Sequence, residues 1–458
     1  MKKVKSICIL LLVSIMLLSL VACAQEQAPA APPAADTTTA PADDNQEPVE
    51  TAPADDGEVA PPEDMVTLLM WYWDNDVFAA SLEGFFANRP GLEIEFIDVP
   101  GNIEFVNRFT TAMATGLELP DIVAMEQGFV QRLGDLEGVL EVLTDPPYNF
   151  DTSFSFDYLI PMLTNTDGYI NRAFGVVCAS GVAFKRGMAL EFFGTDDVDE
   201  VEAILSDWYA VAQVGSEIYE QSGGTRFLFA TIDHINLILM GQNRIPIVSP
   251  DGVISREAIT NIFNILVMMK ENNVFDPELS GWGDVWASAV EDIHMLYACA
   301  PWVPRHVLKH ADPDRVAGWG VIEPPGGGFN WGGLYLGVSS TSNHKSEAWE
   351  VIEWLSTSEE AARWWLEEAG EIINNKAFAS DRSNFDGLED PYFAGQNVVK
   401  KLLDIADNME ILPLTKFDPS IGSAMGAGIH ALVMEGASIE EIVDIVVNEL
   451  EMAIFNLE

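Results

Sequence analysis

Twelve tryptophans stand among the 458 residues of this chain, and several lie next to carboxylates or amides where an apolar run stops. Trp71, Trp73, Asp74 and Asn75 close the first run, Asn102 and Glu104 follow the second, and Glu126 and Gln127 follow the third. Further on, Trp331 precedes Gly332 and Gly333, which allow close backbone approach. A flat ring offers an apolar face, and a carboxylate or amide offers in-plane hydrogen-bonding groups. Together they suit a ligand with C–H groups on its face and hydroxyls along its edge, as in a sugar ring. Signs of bond-making chemistry are missing by contrast. The chain has no Gly-x-Ser-x-Gly, no phosphate loop, no His-Glu-x-x-His and no complete Gly-x-Gly-x-x-Gly. His306 and His310 would form half of a metal site on one helical turn, without a third ligand at a recognisable spacing. We therefore expect a binding protein, with no catalytic residue, metal or cofactor.

The elements that must position these residues alternate strand and helix. An apolar strand ends at Trp71 to Asn75. A helical segment with Phe85 and Phe86 follows, then the break Arg89-Pro90-Gly91, the alternating strand Leu92 to Val99, a helix around Phe105 to Ala114, and the turn and strand Gly116 to Glu126. In open α/β sheets ligands bind beyond the carboxyl ends of the strands, which puts all three residue groups on one face. Later segments keep the α/β pattern. Asn165 to Gly168 reads as a turn into a strand through Ala173 to Ala179. A long helix lies between Val253 and Phe275, and His294 to Ala300 forms a strand. Thr357 with Glu360, and Ser438 with Glu441, have the spacing of capping boxes. Trp349, Trp354, Trp364 and Trp365 recur at near-helical spacing and are expected to pack internally.

The order and spacing of the Arg-Pro-Gly break, the Gly-x-x-x-Pro-Asp-Ile-Val turn at 116 to 123, and Phe129-Val130 with Gly134 and Leu136 resemble the extracellular solute-binding proteins of ABC importers. They resemble in particular family 1, the carbohydrate-binding, maltose-binding-protein-like branch. This resemblance implies an α/β fold of two lobes with an interlobe cleft and a hinge, and delivery of a captured solute to permease subunits. It implies lobe 1 at 65–177 plus 318–370 and lobe 2 at 178–317 plus 371–458, with crossings near Val177, Trp319 and Gly370-Glu371. It also implies that Trp302, after Pro301, is delivered to the cleft. Arg305, by its charge, could bind an acidic sugar or pair with a neighbouring carboxylate. At 174–186 the family's proline is missing, and Phe184 and Lys185 stand where it has Tyr and Asn.

Residues 1–22 read as a secretory leader, with Lys2, Lys3 and Lys5 before an apolar run that is short for a membrane span. The run ends in Leu20-Val21-Ala22-Cys23, resembling a lipobox, so acylation of Cys23 would hold the chain to the bilayer. Segment 24–64 is rich in Ala, Pro, Thr and acidic residues and reads as a disordered tether. The expected address is the outer face of a Gram-positive cell membrane. The net charge is −49. Setting aside three leader lysines and eleven tether acids leaves 61 acidic against 20 basic residues. Such an excess disfavours nucleic acid as a partner. The chain is expected to act as a monomer with a small solute, a sugar or oligosaccharide. The alternatives are a polyamine, peptide or metal complex on the same fold, or a surface glycosidase. Cys178 and Cys299 could pair or remain free thiols.

Overall fold

The computed structural model describes residues 65–101 and 103–457. The leader, Cys23 and the tether lie outside the described residues, as does Asn102. Two sheets organise the rest. Strands β1 (Val66–Tyr72), β2 (Leu92–Asp98) and β3 (Ile122–Glu126) belong to the first, in the order β2-β1-β3 followed by β9 (Leu334–Val338). β1 is parallel to both neighbours, and β9 runs antiparallel to β3. The second sheet has the order β5 (Phe227–Phe229), β6 (His294–Cys299), β4 (Ala179–Lys185), β7 (Trp319–Ile322), with β8 (Phe329–Asn330) also on β4. The first core gathers around β1, β3 and β9, and the second around β4 to β6 and the helices behind them.

Local sequence accounts for much of this. Edge strand β2 alternates, with Glu93, Glu95 and Asp98 exposed along it, a charge pattern that blunts an open edge. Central β4 and β6 are buried at every residue, as their small and apolar composition apart from Lys185 and His294 requires. Asp121 explains the Pro-Asp-Ile-Val turn. Its carboxylate accepts the Leu69 N–H at 2.8 Å and the Ser342 hydroxyl at 2.5 Å, tying β1 and the chain after β9 to the start of β3. Arg172 is fully buried. Its guanidinium donates to the carbonyls of Met162 (2.8 Å) and Thr164 (2.6 Å) and to Gln131 Oε1 (3.2 Å).

Three stretches pass between the sheets side by side. Gly175 bridges Tyr335 and Val176 bridges Ile373. The Val177 N–H donates to Ile372 O at 2.7 Å, and the Trp331 N–H to Cys178 O at 3.0 Å. The first and third stretches lie near the expected crossings. The second does not: β7, containing Trp319, pairs with β4 in the second sheet, so the return falls at Trp331 to Gly333. A strand buried on both faces reads alike in either lobe, which is why its sheet could not be inferred from sequence. The expected strand 173–179 is likewise displaced, since the regular strand begins at Ala179 and the preceding residues are crossing chain.

The helices relevant below are α1 (Asn75–Ser81), α2 (Ile103–Thr115), α3 (Ile232–Gln242), α4 (Trp282–Ala287), α5 (Glu359–Trp364), α6 (Asp418–His430) and α7 (Ile439–Leu457). The Ser438–Glu441 box forms, with the Ser438 N–H donating to Glu441 Oε2 at 2.9 Å. At α5 the cap is Ser358 instead of Thr357, accepting from the Glu360 N–H at 3.1 Å, while the Thr357 hydroxyl bonds back to Glu353 O. Thr357 belongs to the preceding helix, which takes its hydroxyl out of capping position.

Candidate functional site

A cavity of about 650 Å³ opens where the end of β3, the Trp331-Gly332 crossing and three elements of the second lobe converge. Helix α3 provides one wall. Thr231 caps its start by accepting the Asp233 N–H at 3.3 Å, and Asp233, Asn236, Leu237 and Met240 follow at helical spacing along the cavity side. Helix α4 starts after Gly281, whose φ of +82° suits a residue without a side chain, and carries Trp282 and Trp286 four apart on one face. Residues Ile411 to Gly422, including the start of α6, form the third wall.

Tryptophans form one part of a lining that is otherwise largely aliphatic. Trp282 meets Trp286 edge to face at 5.7 Å and Trp331 at 6.2 Å, and it stacks on Trp302 at 5.8 Å. Trp282 is 58 % exposed, so much of its surface is available to a ligand. His234 sits behind, 5.5 Å from Trp286 and 6.0 Å from Trp331. Its Nδ1 accepts the Ala298 N–H at 3.2 Å, and burial lowers its pKa to about 4, leaving a neutral ring at ordinary pH.

The first lobe contributes polar groups. Glu126, at the end of β3, accepts the Gly128 N–H at 2.6 Å, but burial outweighs this and raises its carboxyl to about 7. Gln127 Oε1 accepts the Gly332 N–H at 2.7 Å and Asn330 Nδ2 at 3.1 Å, clamping the loop after β3 to the crossing chain. Gly333 has φ +127°, and a Cβ there would lie 2.8 Å from Tyr335 Oη. This crossing therefore requires glycine for its conformation and for space.

Of the residues expected at a ligand site, Glu126, Gln127, Trp331 and Gly332 line the cavity together. Trp302 lies just behind, its Nε1 donating to Trp331 O at 3.2 Å. Gly333 continues the same crossing. Trp71 is elsewhere, only 4 % exposed and packed on Phe105 and Phe109 at 6.1 Å each, with the Arg108 guanidinium over its ring. Trp73 stacks obliquely on Tyr72 at 4.6 Å under Gly101. Asp74 and Asn75 begin α1, and Glu104 is exposed in the first turn of α2. Arg305 donates to the carbonyl of Glu368 at 2.7 Å. His306 faces Glu371 at 3.7 Å, and no cluster able to hold a metal occurs among the described residues. Cys178 and Cys299 are buried free thiols. Trp282, Trp286, Asp233, Asn236 and Asp418 were not anticipated. The Trp-x-x-x-Trp spacing after Gly281 is a one-turn aromatic face visible in sequence, whereas the polar residues of α3 and α6 carry no such mark.

Comparison with solved structures decides the architecture. A crystal structure described as extracellular solute-binding protein family 1 superposes with a TM-score of 0.76 at 20% identity, over 85% of this chain and 99% of its own. The chain has the two-lobed solute-binding fold. The sugar-binding protein MalE of Xanthomonas citri matches at a TM-score of 0.66 and 17% identity, over 86% and 100% of the two chains. The cyclic alpha-maltosyl-1,6-maltose binding protein of Arthrobacter globiformis gives 0.67 at 15% identity, over 86% and 100%. Among curated proteins, an arabinooligosaccharide-binding protein of Halalkalibacterium halodurans is 21% identical over 352 residues, 70% of this chain and 74% of its own length. No family model matches the chain. Among the described residues no helix is long and apolar enough to cross a membrane.

Proposed function

We propose that this protein is the extracytoplasmic solute-binding component of an ABC importer and captures a saccharide between its lobes for a membrane permease. The cavity carries this reading. Trp282 and Trp286 line its second-lobe side together with Asp233, Asn236 and Asp418, Glu126 and Gln127 come from the end of β3, and Trp331 sits on the crossing chain between them. The rings would receive C–H faces of the sugar, and Glu126 and the loop held by Gln127 would meet its hydroxyls. The named ligands of the relatives, maltosyl and arabinose oligosaccharides, support the same class.

In this reading, lobe 1 is the part built on the β2-β1-β3-β9 sheet and lobe 2 the part built on the β5-β6-β4-β7 sheet. Ligand touching both would favour the closed form by its differential affinity for it. Cys23 would bear the lipid, with 24–64 as tether, and the protein would act as a monomer that binds without turnover. A thermal-shift screen against neutral and charged mono- and oligosaccharides tests it. A ligand at 100 times its dissociation constant stabilises the fold by about 2.7 kcal/mol, which moves the midpoint by roughly 2 °C or more. A shift with one saccharide class, lost in Trp331→Ala, is expected. Shifts with none of them would refute the proposal.

A further inference from the structure

Leu237 and Met240, three apart on α3, and Ile411, Leu412 and Leu414, in the segment before α6, line the cavity while only half-buried. Leu237 and Met240 pack against the second core, and Ile411 and Leu414 against the first. Leu412 belongs to neither core, and Trp282 is likewise outside both. Apolar side chains exposed singly need no explanation, but these converge on one cavity from separate elements. Covering them with an apolar group is favourable, and setting a hydroxyl against them is not.

Much of the polar lining is engaged by the protein itself. Asn243 donates to Ile245 O at 2.5 Å and accepts the Ile245 N–H at 3.2 Å. The Thr415 hydroxyl donates to Asp418 at 3.0 Å and accepts the Phe417 N–H at 3.2 Å. Gln127 Oε1 already accepts twice, and Asn330 Nδ2 donates both to it and to Gly332 O at 2.9 Å. His234 Nδ1 holds the Ala298 N–H. The Oδ1 atoms of Asn236 and Asn330 are fully buried and so do not face the cavity. Side-chain capacity toward a solute is therefore concentrated in the carboxylates of Glu126, Asp233 and Asp418. An unsubstituted oligosaccharide filling about 650 Å³ brings several hydroxyls per ring, each a donor and an acceptor. Those set against the leucines would lose water without gaining a partner, which is costly.

We propose that the solute is a glycoside with an apolar aglycone, its sugar ring held by Trp282, Trp331 and Glu126 and its alkyl or aryl group covered by Leu237, Met240, Ile411 and Leu412. The sugar uses the few hydrogen-bonding groups that remain available, and the aglycone takes up the aliphatic wall. One molecule thus matches both kinds of lining, where an unsubstituted saccharide matches only the first.

The inference rests on the saccharide-binding reading above, and the experiment separates the two. The full-length protein is titrated calorimetrically with the methyl, butyl and phenyl glycosides of glucose, maltose and arabinose, beside the free sugars, with butanol and phenol as aglycones lacking a sugar. Burial of a methylene is worth about 0.8 kcal/mol, roughly fourfold in affinity. For one of the sugars the butyl and phenyl glycosides are therefore expected to bind at least about tenfold more tightly than the methyl glycoside. That margin should fall to about threefold or less in Leu412→Asn and in Leu237→Asn. Leu412 lies outside both cores, so its replacement leaves folding intact even where that of Leu237 lowers stability. Equal or tighter binding of the free sugar or methyl glycoside would overturn the inference and leave the saccharide reading standing, and so would a margin that survives both variants. Binding of butanol or phenol as tightly as of their glycosides, or of nothing in the panel, would overturn both.

Discussion

Trp71 stands in the first apolar run and Trp331 follows a glycine-rich turn, and they occupy different surroundings. Trp71 is enclosed by Phe105, Phe109 and Arg108, while Trp331 lines the cavity between Trp282 and Trp302. Trp71→Ala is therefore expected to lower stability by about 3–5 kcal/mol in urea denaturation. Trp331→Ala should reduce saccharide affinity tenfold or more at a smaller cost in stability. Glu126 and Lys185 contribute slopes of opposite sign to the pH dependence. Burial raises the Glu126 carboxyl from its ordinary 4.5 to about 7 in the folded protein, so between those pH values the native state holds a proton that the unfolded chain has released. The contribution of Glu126 to stability therefore falls as pH rises through that window, against an opposite contribution from His234, whose pKa is lowered from 6.5 to about 4. Lys185 has no exposed surface and donates to the Glu291 carbonyl, and burial lowers its pKa from 10.5 to about 7. The unfolded chain holds the extra proton between those values, so Lys185 makes stability rise from pH 7 towards 10.5. Denaturation series on Glu126→Gln and Lys185→Met should each remove that residue's slope relative to the unchanged protein, and a pH profile that a variant leaves unaltered would rule out that residue as a source.

At the level of elements, periodicity and turn chemistry in the sequence accounted for the first sheet. The alternation of β2, the Asp121 turn and the apolar runs of β1 and β3 are local signals. The second sheet was less legible, because β7 and the two-residue β8 are short and buried, and their partner β4 lies about 140 residues earlier in the chain. Capping followed the same logic. Ser438 and Glu441 stand alone before α7, whereas adjacent Thr357 and Ser358 offered two candidates that only the end of the preceding helix could separate. The crossing chain is the element most sensitive to change. Gly333→Ala would need a strained φ and a contact 2.8 Å from Tyr335 Oη, so a loss of about 1–3 kcal/mol is expected by thermal or urea unfolding. A neutral result there would mean that the crossing is not held as tightly as its hydrogen bonds indicate.

For the whole molecule, an acidic chain of net charge −49 is divided into two lobes by three adjacent crossings, with an aromatic cavity beside them. The sequence carried the two-lobed architecture because the motifs of the first lobe are compact. It carried only part of the candidate site because Asp233, Asn236, Trp282 and Asp418 come together from segments far apart in the chain. Two lobes joined in this way should move on loading, and small-angle scattering should record a smaller radius of gyration with a bound saccharide than without it. The most direct test of saccharide capture in this cavity is a calorimetric titration of the wild-type protein, Trp331→Ala and Trp73→Ala with the saccharide that gives the largest thermal shift. The account predicts saturable one-site binding that is lost or weakened at least tenfold in Trp331→Ala and retained in Trp73→Ala. Binding that survives Trp331→Ala unchanged, or disappears only in Trp73→Ala, would contradict it.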